Sequence, residues 1–130
     1  MRYMMLVYTT GRPATAEEMA EVSNTHRALM DETERLGILY SANPLEPAAK
    51  ATTVRTQQGK VLVTDGPFAE TKEQLAGYYM LECRDLDEAV EWAAKIPTAC
   101  GGAQGCIEIR AIHEVGRDVP SVSADQRARA

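Results

Sequence analysis

No apolar run in this chain approaches the roughly 20 residues that a membrane-spanning helix needs, so no transmembrane segment is expected. The opening stretch "MRYMMLVYTT" has one arginine and a short apolar run. It lacks the longer apolar core and small-residue cleavage site of a secretion signal, so it reads as a first strand and the protein as cytoplasmic. Positive charge is also scarce. Lys and Arg total 14 against 19 Asp and Glu, a formal net charge of −5, which excludes a basic face for a phosphate backbone and makes nucleic acid an unexpected partner. The three cysteines, Cys83, Cys100 and Cys106, are odd in number and form no CxxC pair. They are neither a disulfide framework nor a zinc knuckle, and read as reduced thiols. Two histidines and scattered carboxylates have no metal-ligand spacing. The glycine-rich "GGAQG" follows a helix rather than a strand, so the nucleotide-binding context fails. No metal and no cofactor is expected.

What is present suffices for one folded domain. The chain has 130 residues, 45% of them apolar and 25% charged, proportions ordinary for a globular protein. "RYMMLVY" (2–8) reads as a strand that is apolar on both faces. Thr15 followed by Glu18 is a capping box opening a helix over 16–36, with Gly37 as its left-handed stop. A short strand begins at Ile38 and gives way to a proline-punctuated turn. "ATTVRT" (51–56) and "VLVT" (61–64) flank the turn "QQGK" as a hairpin. "LAGYYMLECR" (75–84) is the longest strand candidate. Asp85 and Glu88 form a second capping pattern ahead of a helix that Pro97 ends, and "CIEIRAIHEV" (106–115) is the last strand. Residues 1–115 form the domain, and 116–130 a flexible C-terminal tail with almost no apolar content.

The order β, α, several β, α, β points to an α+β fold of ferredoxin-like, split βαβ topology, an antiparallel sheet with two helices on one face. Two helices cover only one side of a sheet. Yet "YMMLVY" and "YYML" carry large apolar residues at odd and even positions, so both faces require burial. A second copy laid sheet to sheet satisfies this, and a homodimer is expected.

One residue breaks the helical pattern. Met19, Val22, Leu29, Thr33 and Leu36 recur at steps of three and four, and the missing member of that series, position 26, is a histidine. A core histidine satisfied by a carbonyl or hydroxyl is one reading. An imidazole lining a cleft between helix and sheet, able to exchange a proton near neutral pH, is the other. Among the carboxylates, Asp65 has the unusual setting, ending an apolar strand just before Gly66-Pro67. It either hydrogen-bonds its own turn or is aimed by that stiff turn at His26.

The run "TDGPFAETKE", the strand "GYY" after it, "DLDEAVEWA", the closing "IEIR", and "YMMLVY" before a helix bearing one histidine are similar to the YCII-related family in its DGPF-domain branch. The resemblance covers about residues 1–115. It implies a dimeric α/β barrel of ferredoxin-like topology and an acid–base pair formed by His26 and Asp65. It establishes no general activity. Some relatives of the barrel act without a cofactor on small aromatic or cyclic compounds, by isomerisation or elimination. DGPF-type proteins are often encoded beside extracytoplasmic-function sigma factors. The chain departs from the pattern after Arg110, where many relatives place proline, which leaves the end of the last strand undefined.

The candidate catalytic residues are therefore His26 and Asp65. Arg55 and Arg110 on strands, Glu70 and Lys72 near the motif, and Tyr79 are candidates to hold a small-molecule ligand. Tyr78 and Tyr79 point to opposite faces, so one alone can reach a given pocket. His113 is a lone histidine on a strand end and has no assignment. Three functions stay open: a cofactor-free isomerase- or lyase-type enzyme on a small cyclic or carbonyl compound, a non-catalytic ligand-binding or regulatory module linked to a sigma factor, and a plain dimeric scaffold.

Overall fold

The computed structural model describes residues 1–10, 15–98 and 105–114. Strand β1 (Arg2–Thr9) leads to helix α1 (Ala16–Arg35) and strand β2 (Leu39–Pro44). After one 3-10 turn at Ala48–Lys50 come β3 (Thr52–Gln57), β4 (Lys60–Asp65) and β5 (Gln74–Glu82), then helix α2 (Leu86–Ala93) and β6 (Gly105–Ala111). Four strands form one sheet in the order β2-β5-β1-β6, with antiparallel pairing throughout. This is the expected ferredoxin-like α+β arrangement, built from β1-α1-β2 and β5-α2-β6. The β3–β4 hairpin is a separate two-stranded sheet inserted between the two halves.

Alternation along the two central strands decides which face is covered. Tyr3, Met5 and Val7 of β1 and Tyr79 and Leu81 of β5 are buried, and they cluster with Leu29 of α1, Ala89 and Ala93 of α2, and Ile96. Both helices therefore pack on one side. Fully burying side chains such as Met5 or Leu81 is worth about 1.5–3 kcal/mol each. The intervening residues, Met4 and Leu6 of β1 and Tyr78 and Met80 of β5, share the opposite face, which no helix covers among the described residues and where they remain partly exposed.

The helix ends follow local chemistry. Thr15 Oγ1 accepts the Glu18 amide and Glu18 returns a carboxylate to the Thr15 amide, the full capping box. At α2 the box is altered. Asp85 accepts the Glu88 amide at 2.9 Å, but the Glu88 carboxylate turns back to the Arg84 amide and guanidinium. The α1 stripe is buried only in its middle. Leu29 and Thr33 are enclosed, Thr33 Oγ1 donating to the Leu29 carbonyl, whereas Met19 and Leu36 stand out in solvent.

The hairpin turn places Gln58 and Gly59 at φ 51° and 76°, both left-handed, as a two-residue turn matching strand twist requires. At Gly77 the sheet needs the absence of a side chain. A Cβ there would sit 2.9 Å from the Asn43 carbonyl oxygen and 3.2 Å from Pro44 Cα, so glycine alone lets β2 lie this close to β5. The expected tail at 116–130, and Cys100 in its loop, lie outside the described residues.

Candidate functional site

His26 sits on α1 where the helix faces the β2–β5 edge of the sheet. Its Nδ1 lies 2.5 Å from the Tyr79 hydroxyl, and the two rings stack with centroids 5.8 Å apart at 24°. Tyr79 reaches it because position 79 is on the helix-covered face of β5, between Gly77 and Leu81. Burial lowers the imidazole's pKa from its usual 6.5, and raises the Tyr79 phenol from 10.0 to about 12. Both partners are thus neutral near pH 7. The phenol is 3% exposed and has no other acceptor among the described residues. A buried hydroxyl needs an acceptor, so the phenol donates to Nδ1. That fixes the proton of the neutral imidazole on Nε2, the nitrogen left for a ligand.

His26 and Tyr79 form part of the wall of a cavity of about 80 Å³, with Val7, Met30, Asn43 and Pro44 among the other lining residues. Among the described residues no charged side chain lines it, and Tyr79 is the titratable side chain that meets the histidine. By this measure a single water needs roughly 10–15 Å³, so the space accepts a small molecule. Tyr78, one residue back along β5, sends its hydroxyl to the opposite face of the sheet. Its hydroxyl shares a hydrogen bond with Ser41 Oγ at 2.9 Å and accepts one from Asn43 Nδ2 at 2.9 Å. These bonds, Ser41's foremost, stabilise the phenolate and hold its pKa below the usual 10.0.

The other sequence candidates lie elsewhere. Asp65 ends β4 on the hairpin, opposite Thr52, and is exposed. It makes no hydrogen bond or ion pair with His26 and does not line the cavity. Nor does its carboxylate hold its own turn. Gly66, at φ 99°, donates its amide to the Ala51 carbonyl at 2.6 Å and accepts the Thr53 hydroxyl at 2.7 Å, so the corner closes without Asp65. Arg55 donates to the Phe68 carbonyl at 3.3 Å, tying the Asp-Gly-Pro-Phe corner to β3. Glu70 and Lys72 are exposed in the connection to β5. Arg110 is on the open face of the sheet, 3.8 Å from Glu108. His113 is exposed beyond β6. Of the named ligand-holding set, Tyr79 alone meets His26. Sequence reasoning missed the hydrogen bonds that join Ser41 and Asn43 to Tyr78 on the open face of the sheet. The available signal was an asparagine in a strand immediately before proline, where a side chain tends to hydrogen-bond locally.

Among the described residues no group of three or more His, Cys, Asp or Glu side chains is placed to hold a metal ion, and no helix is long and apolar enough to cross a membrane. Residues 1–116 match the YCII-related domain. The chain belongs to the YCII-related family. It is also 36% identical over 126 residues, 93% of this chain and 100% of the relative, to an uncharacterized protein of Rhizobium meliloti (strain 1021). Family membership thus extends over the whole ferredoxin-like core, the hairpin and the cavity with His26.

Proposed function

We propose that this YCII-related protein is a homodimeric, cofactor-free acid–base catalyst of isomerase or lyase type, acting on a small cyclic or carbonyl compound held beside His26. The observation that carries the reading is a neutral imidazole, clamped through Nδ1 by a buried phenol, on the wall of an uncharged cavity. Its Nε2–H is a donor for a carbonyl oxygen, and a neutral imidazole in that role polarises a carbonyl without committing a full charge to a dry site. Positioned proton transfer of this kind contributes roughly 10²–10⁴ in rate. In this reading His26 is the general acid or base, and Asp65, the partner that the family resemblance implies, orients it and stabilises the imidazolium when it forms. Met4, Leu6, Tyr78 and Met80, uncovered on the open sheet face, support pairing with a second copy.

A ligand-binding regulatory module, with the sigma-factor link that the DGPF resemblance implies, is the competing reading. It is favoured by one fact: among the described residues no carboxylate lines the cavity. A metabolite library screened by thermal shift tests both. A small carbonyl compound should raise the melting midpoint of the wild type and not of His26→Ala, and should be converted on incubation with the wild type. Binding without conversion selects the module, and ligands that stabilise both proteins equally refute a site at His26.

A further inference from the structure

The cavity beside His26 owes its space to small residues. On the sheet side its wall holds Ala42, Ala76 and Gly77, with one side-chain carbon or none. Gly77 tolerates nothing larger, because its Cβ would meet the Asn43 carbonyl oxygen at 2.9 Å. On the helix side stand His26 and Met30, four residues apart and so neighbours on one face of α1. A helical side chain leans toward the N-terminus of its helix, so Met30 leans back toward the histidine. It is half-buried and packs against the core. Among the described residues it is the one unbranched, flexible apolar side chain of this wall, a type that fills irregular gaps.

The space measures about 80 Å³. A cavity of about 150 Å³ lined by apolar side chains takes benzene, so a space about half that size encloses about three or four non-hydrogen atoms. Polarity restricts the occupant as much as size does. The Tyr79 hydroxyl is committed to Nδ1 of His26. The Tyr78 hydroxyl and the Asn43 amide nitrogen bond each other on the open face of the sheet. Among the described residues this leaves the Nε2–H of His26 as the side-chain donor at the cavity, with no countercharge beside it. A carbonyl oxygen matches that single donor. A carboxylate would lose its water with nothing to balance its charge.

We infer that the cavity selects an uncharged, open-chain aldehyde or ketone of about three or four non-hydrogen atoms, its oxygen on Nε2 of His26, and that Met30 sets the size limit. This rests on the acid–base reading of His26 and narrows its substrate class, setting aside rings and carboxylates. Shortening Met30 is then the change that opens the site to a ring.

Acetone, acetate and cyclohexanone are the probes that test it. Acetone and acetate match in non-hydrogen atoms and differ in charge, whereas acetone and cyclohexanone share the carbonyl and differ in size. His26 is followed at pH 8 by NMR in protein labelled with ¹⁵N-histidine, assigned against His113→Gln. Acetone should move the Nε2 resonance of His26 saturably and leave His113 in place. Acetate and cyclohexanone at equal concentration should leave His26 unmoved. Met30→Ala should lower the dissociation constant of cyclohexanone by about tenfold or more, the scale on which a hydrophobic pocket discriminates size. Met30→Val, a smaller truncation, should move it in the same direction and serves if Met30→Ala does not fold. Acetate bound at His26 as well as acetone overturns the charge selection. Cyclohexanone bound by the wild type as well as acetone, or no gain for it in a folded Met30 variant, overturns the size limit set by Met30. The acid–base reading of the site survives each of these results. If no probe moves His26 in any of these proteins, that reading falls together with the inference.

Discussion

Replacing Tyr79 by phenylalanine isolates the contact on which His26 depends. Burial raises the Tyr79 pKa from 10.0 to about 12, and the side chain is 3% exposed, so the folded protein holds this proton more tightly than the unfolded chain does. Between those two values the native state binds more protons, and stability falls as pH rises. The contribution is fully present below pH 10 and lost by about pH 12, and a difference of two pKa units corresponds to about 2–3 kcal/mol. At pH 8 Tyr79→Phe instead loses the hydrogen bond to Nδ1, a net cost of about 0.5–1.5 kcal/mol. The variant should therefore be less stable than the wild type at pH 8 and overtake it near pH 10–11. Urea unfolding at fixed protomer concentration, repeated every half unit from pH 8 to 11.5, reads the difference directly, since lysines and other tyrosines cancel between the two proteins. A stability difference that stays flat across that range would show that the phenol is not held neutral by burial, and the assignment of the proton to Nε2 would fall with it.

Further outcomes follow from other sites. In Asp65→Asn, His26 should titrate below 6.5 because burial lowers it. The unfolded chain then binds the proton more readily, so stability drops as pH falls below 6.5; His26→Gln in that background should abolish this component of the pH–stability profile. Gly77→Ala should lower stability by about 1–3 kcal/mol, since the new Cβ meets backbone of β2 at 2.9 Å, and a melting scan that does not move contradicts the close approach of β2 and β5. Burial pushes the Cys83 thiol up to about 11, so native protein treated with iodoacetamide at pH 8 should carry label on exposed Cys106 well before Cys83, as read by peptide mass mapping.

The sequence spoke clearly wherever a local rule acts alone. The Thr15–Glu18 box, the strand at 2–8 and the turn at Gln58–Gly59 were each legible because a cap, an apolar run and a two-residue turn need no distant partner. The buried extent of α1 was not. Periodicity says which side of a helix is apolar but not how far along the helix that side is packed, and Met19 is left 51% exposed. His26 was legible as an exception in a stripe, yet its orienting group was expected to be a carboxylate from a conspicuous motif. Within the chain a tyrosine takes that place, because the alternation of β5 fixes which of Tyr78 and Tyr79 faces the helix only once the strand's register against β1 is known. Likewise, the pattern of Val54, Val61 and Val63 announced a hairpin, but nothing local said that it would stand apart from the main sheet.

That separation bears on how the molecule opens. The backbone ladder of β3 and β4 is shared with no other strand, whereas β1 is paired on both sides. The two should form distinct cooperative units, so that the hydrogen-bonded amides of Arg55 and Leu62 exchange with deuterium through local fraying, long before those of Met5 and Tyr79.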